Sequence, residues 1–142
     1  VAAPPPPDSA PALAAAAGPS LLLVDDDPFL HKILRRMLTD SPVRLSCVAS
    51  GHEAEQQVLR GRPDLVLLDI HMPDMNGHEV LRRLQAQPAT AGLPVVMLSG
   101  DSDREQVVQC LRLGARGFVV KPFSKKTLFE ALERHLPALT LT

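Results

Sequence analysis

Cysteine is scarce and scattered in this chain: Cys47 and Cys110 stand alone, with no CxxC pair and no Cys/His ligand spacing. Their isolation argues against a disulfide framework or a zinc site and fits two buried thiols in a reducing compartment, so the expected location is cytoplasmic. Long apolar runs are missing too, and the first residues carry neither a basic start nor a continuous apolar segment. No membrane span and no secretory signal is therefore expected. No stretch clusters lysine and arginine: fifteen basic residues meet sixteen acidic ones, for a formal net charge of −1. A nucleic-acid binder needs a basic excess on some face, so direct nucleic-acid binding is disfavoured.

What is present is unevenly spread. Six of the fourteen prolines, and only one charge, Asp8, fall in the first 20 residues. That segment reads as an Ala/Pro-rich disordered linker over 1–20, semi-extended where the prolines run together. One folded domain is expected over 21–137, with a short tail at 138–142. The domain is long enough to bury roughly two-thirds of the surface its unfolded chain exposes, without staples.

From Leu21 onward, short apolar runs alternate with helical periodicity. LLLV at 21–24, VRLSCV at 43–48, LVLL at 65–68, VVML at 95–98 and FVV at 118–120 read as strands. Between and after them the pattern predicts helices from Pro28 to about Asp40, His52 to Arg60, His78 to Gln85, Asp103 to Leu113 and Ser124 to Leu136. In the first of these Phe29, Ile33 and Met37 recur at the spacing of one helical face. Nearly continuous apolar strands are those covered by helices on both sides, so the sheet is expected to be parallel. Five strand–helix units close as an open doubly wound α/β sheet; a barrel would need eight.

In such a sheet ligands bind beyond the carboxyl ends of the strands. After the first strand come Asp25, Asp26 and Asp27; after the third, Asp69 and then His71; after the fourth, Ser99; after the fifth, Lys121 and Pro122. Clustered carboxylates repel unless a cation or protons join them, and an all-oxygen donor set selects a hard ion, here Mg²⁺. An aspartate beside such an ion can attack phosphorus, while a lysine and a hydroxyl neutralise the phosphoryl oxygens. Asp27, just before Pro28, is explained by helix capping alone. His71 is placed to be a metal ligand, but the histidines at 31, 52, 78 and 135 show no ligand spacing and all five are expected to be exposed, and Phe118, taken alone, would be core.

LLLVDDDP, DLVLLDIHMPDMNG, VVMLSGD and LGARGFVVKPF, in this order and spacing, resemble the receiver domains of two-component response regulators and hybrid histidine kinases. The match runs from about Leu21 to Pro137. The resemblance implies a flavodoxin-like (βα)5 fold with strand order 2-1-3-4-5. It implies Asp69 as phosphoacceptor, Asp25, Asp26, Asp69 and the backbone carbonyl of His71 as Mg²⁺ ligands, and Lys121 as the phosphate-contacting lysine, followed by Pro122 through a cis bond. Ser99 and Phe118 stand where the family has its hydroxyl and aromatic switch pair. His71 and Asp101 border the path of the hydrolytic water, so both are expected to set the lifetime of the phosphorylated state.

The partner implied is a histidine kinase or a histidine phosphotransfer domain, docking near Phe29 and Leu30. Self-association through the face of the fourth helix, fifth strand and fifth helix is a further expectation. So is a place as the C-terminal receiver of a larger protein or as a free-standing relay protein. The domain would catalyse its own phosphorylation and slow autodephosphorylation without being a stand-alone enzyme. Two alternatives compete. Asp25-x-Asp27 with Ser99 and Lys121 also resembles the haloacid dehalogenase phosphatases, with Asp25 as nucleophile; that reading needs a further acidic pair after another strand downstream of the lysine, and 122–142 offers none so placed. A receiver that binds partners without phosphate is the other.

Overall fold

The computed structural model describes residues 18–100 and 102–136. Most of the expected linker, Asp101, Pro137 and the expected C-terminal tail lie outside the described residues. Strands and helices alternate throughout: β1 (Ser20–Val24), α1 (Pro28–Met37), β2 (Arg44–Val48), α2 (Gly51–Arg60), β3 (Leu65–Asp69), α3 (Gly77–Ala86), β4 (Val95–Ser99), α4 (Arg104–Arg112), β5 (Gly117–Val120) and α5 (Lys125–His135). All pairings are parallel, in the order β2-β1-β3-β4-β5. This is the parallel doubly wound sheet that the sequence predicts, in the flavodoxin-like order that the resemblance implies.

Alternation along the strands builds two cores, one on each face of the sheet. Leu22, Val24, Val66, Leu68, Val95 and Met97 pack with Ala54, Val58, Val80, Leu81, Leu84, Val107 and Cys110, so α2, α3 and α4 cover one face. Leu21, Leu23, Leu65, Leu67, Val96, Leu98 and Val119 pack with Leu34, Leu128 and Leu132, so α1 and α5 cover the other. The central strands β3 and β4 are buried along their whole length.

Several details differ from the sequence reading. The first helix stops at Met37 rather than near Asp40; beyond it the backbone tightens to three-residue turns, Thr39 N–H donating to Arg36 O and Ser41 N–H to Leu38 O. The edge strand β2 is half-buried throughout, which leaves Cys47 only half-buried, whereas Cys110 is buried as expected. Burial still raises both thiols above their ordinary pKa. On the opposite edge, β5 buries Val119 but leaves Phe118 51% exposed, so the default assignment of Phe118 to the core fails. His52 and His71 are exposed; His31, His78 and His135 are half-buried.

Candidate functional site

The carboxyl ends of β1, β3, β4 and β5 bring their terminal residues to one edge of the sheet, as expected. Asp25 follows β1 and is 1% exposed. Its backbone N–H donates to Val48 O, and its Oδ1 accepts the N–H of Asp27 at 2.9 Å. Asp27 in turn caps α1 by accepting the N–H of Phe29 at 2.9 Å, the capping role read from the sequence. Asp26, between them, is exposed.

Asp69 ends β3 and is 4% exposed. Burial, reinforced by the neighbouring charge of Asp25, raises its pKa even though Lys121 and a backbone N–H from His71 oppose the rise. The ammonium of Lys121 sits between the two acids, 3.1 Å from Asp25 Oδ2 and 3.1 Å from Asp69 Oδ1. Burial is the largest single influence on that lysine and pulls its pKa down, but the two carboxylates together outweigh it and hold it above the ordinary value. Lys121 is anchored to the end of β4 by its N–H, which donates to Ser99 O at 2.7 Å, and it joins Pro122 through a cis bond, as the resemblance implied. Ser99 is buried at 2% exposure.

Close packing fixes the end of β3 from behind. Gly77 opens α3, donating its N–H to Ile70 O at 2.7 Å, and a Cβ at this position would collide with the carbonyl oxygen of Asp69. Two further interactions were not legible in the sequence. His31 Nε2 lies 2.6 Å from the carbonyl oxygen of Asp25, so it donates there and steadies the acidic loop. His71 Nε2 lies 2.7 Å from Oδ1 of Asp103, a buried acid that the sequence offers only as a helix start. That bond, with the N–H of Gly100, holds the Asp103 carboxyl below its ordinary range. Asp101, expected with His71 to border the path of the hydrolytic water, lies outside the described residues.

Asp25, Asp26 and Asp69 each offer a carboxylate oxygen, and these atoms lie within 4.8 Å of one another. An all-oxygen donor set of this charge fits Mg²⁺, which binds through few carboxylates and keeps several waters. The arrangement is an acidic pocket at the switch point of a doubly wound sheet. The chain belongs to the response regulator receiver domain family, whose model matches residues 21–133.

Among its relatives, the DNA-binding response regulator MtrA of Mycolicibacterium smegmatis is 40% identical over 110 residues, 78% of this chain and 47% of that protein. This chain thus spans about half of that relative's length. The chemotaxis protein CheY of Listeria monocytogenes is 36% identical over 107 residues, 75% of this chain and 88% of that one. Among solved structures, the receiver domain of the sensor histidine kinase PA1611 from Pseudomonas aeruginosa has a TM-score of 0.75 at 30% identity. The match covers 83% of this chain and 97% of that one, which holds a magnesium ion in its active-site cleft. Vibrio cholerae CheY4 has a TM-score of 0.78 at 29% identity, covering 84% of this chain and 99% of that one.

Receiver domains bind Mg²⁺ in their acidic pocket and interact with histidine kinases or phosphotransfer proteins, and the acidic cluster of this chain matches that use. Family membership sets aside the phosphatase alternative built on Asp25. No helix among the described residues is long and apolar enough to cross a membrane.

Proposed function

We propose that this receiver domain takes a phosphoryl group onto Asp69 from a phosphohistidine of a cytoplasmic partner. The observation that carries the reading is the shared ammonium of Lys121, 3.1 Å from both Asp69 and Asp25. In the transfer an oxygen of Asp69 attacks phosphorus in line, the P–N bond to the donor imidazole breaks, and an acyl phosphate forms. Mg²⁺ bound by Asp25, Asp26, Asp69 and the backbone carbonyl of His71 would supply charge neutralisation for the phosphoryl oxygens. Lys121 turns from the carboxylates to the phosphoryl group, and Ser99 donates its hydroxyl to one of the oxygens. Hydrolysis returns Asp69 to its carboxylate, at a rate modulated by His71 and Asp101.

The phosphoryl group adds charge and acceptors, which shift the domain toward the state with Ser99 drawn in and Phe118 turned inward. Exposed Val108, Leu111, Phe118 and Val120 support the face of α4, β5 and α5 as the output or self-association surface. For partner docking, the supporting feature is a groove of about 410 Å³ along α1, lined by Phe29, Lys32, Ile33, Arg36, Met37 and Lys125. Phe29 is 67% exposed there. The receiver unit is proposed to span 21–137.

The test is intact-protein mass after incubation with acetyl phosphate and Mg²⁺, on wild type, Asp69→Asn and Asp25→Asn. One Mg²⁺-dependent adduct in wild type and none in Asp69→Asn supports the reading. No adduct in any protein supports a binding module that works without phosphate.

A further inference from the structure

Asp103 stands where a helix-capping acid belongs, and its carboxylate is used elsewhere. Asp27, Ser50, Asn76 and Ser124 each accept a backbone N–H in the first turn of the helix they precede. Asp103 makes no such bond to α4. Its Oδ1 instead accepts from His71 Nε2 at 2.7 Å, and its Oδ2 accepts the backbone N–H of Gly100 at 2.7 Å. The residue is 5% exposed, so its carboxylate is buried at both bonds, while the His71 ring that reaches it lies at the surface. His71 lies two residues beyond Asp69, and Gly100 follows Ser99. A single carboxylate therefore ties the loop that follows the acceptor to the loop that carries the hydroxyl.

We propose that Asp103 is a positioning residue, a latch that holds the Ser99 loop to His71 in the resting domain and opens when Ser99 is drawn toward a phosphoryl group on Asp69. The inference rests on the reading of Asp69 as acceptor. Gly100 N–H is the next backbone donor after Ser99, and a hydrogen bond at 2.7 Å has little slack. Movement of Ser99 toward Asp69 pulls that N–H off Oδ2. The latch therefore favours the resting state, and cutting it enlarges the fraction of molecules ready for transfer.

The test is a double-mutant cycle on the full chain, with His71→Ala, Asp103→Ala and both together. It has two readouts: thermal unfolding without donor, and the initial rate of Mg²⁺-dependent adduct formation from acetyl phosphate. The latch predicts non-additive stability losses, because either single variant already breaks the shared bond. His71→Gln, whose side-chain nitrogen reaches about as far as Nε2, restores the stability coupling to Asp103. Asp103→Ala takes up the phosphoryl group about fivefold faster than wild type. Should Asp103→Ala fail to fold, Asp103→Asn, with one acceptor left for two donors, is predicted to accelerate uptake by a smaller factor. Additive stability losses, or uptake no faster than wild type, overturn the latch alone. A wild-type chain that forms no adduct overturns the acceptor reading and the latch with it.

Discussion

The two ends of the sheet handle charge in opposite ways. At the amino end of the strands, charged side chains are spent on neighbouring backbone: Asp64 accepts the N–H of Ser20 at 2.8 Å, and Arg62 and Arg116 donate to the carbonyls of Ala89 and Gly92. At the carboxyl end, Asp25 and Asp69 are buried beside each other and share one ammonium, with Asp26 adding a third carboxylate to the cluster. The amino end is organised for stability. The carboxyl end keeps like charges together at a cost in stability, and that cost is what prepares it to receive a cation and a phosphoryl group.

The largest expected effect comes from removing the shared cation. Lys121→Met leaves two buried carboxylates without their partner and should lower stability at neutral pH by about 3 kcal/mol, read by chemical unfolding without Mg²⁺. Gly77→Ala forces a methyl against the carbonyl of Asp69 and should cost about 2 kcal/mol, with slowed adduct formation because the acceptor strand shifts.

Neutralising Asp69, the proposed acceptor, should do the reverse. Asp69→Asn is expected to raise the melting temperature of the Mg²⁺-free protein by about 4 °C, the size of a gain on the order of 1 kcal/mol. Because the folded pKa of Asp69 is raised, its ionised form opposes folding, and the wild-type deficit is full above that pKa. The gap between the two proteins should therefore close as pH falls from neutral toward 3.8, the ordinary value for the unfolded chain. A gap that widened on acidification would reverse the assigned sign.

The smallest effect belongs to the amino end. Asp64→Ala removes an exposed acceptor from Ser20 and should cost about 0.5–1 kcal/mol in chemical unfolding while leaving adduct formation at the wild-type rate. A change in that rate would mean that the two ends are not independent.

The sheet was legible because β3 and β4 are uninterrupted apolar runs, a pattern that only burial on both faces explains. The acids, hydroxyl and lysine were legible because a strand end is a fixed place in this fold, and a residue type there declares its chemistry. Long-range pairing was not legible. Asp103 looks like any helix-starting acid, and nothing in the linear pattern aims its carboxylate at a histidine 32 positions earlier. His31 was hidden in the same way, since its bond to the Asp25 carbonyl depends on how α1 sits on the sheet. Phe118 was misread as core by default because an apolar strand residue does not say which strand is an edge.

The most direct measurement is the position of the phosphoryl group itself. Wild-type protein is phosphorylated with acetyl phosphate and Mg²⁺, the acyl phosphate is reduced with borohydride to convert the modified aspartate to homoserine, and the peptides are mapped by mass. The account predicts homoserine at position 69 and nowhere else. Homoserine at position 25 would contradict it and return the nucleophile to the first acid of the DDD segment.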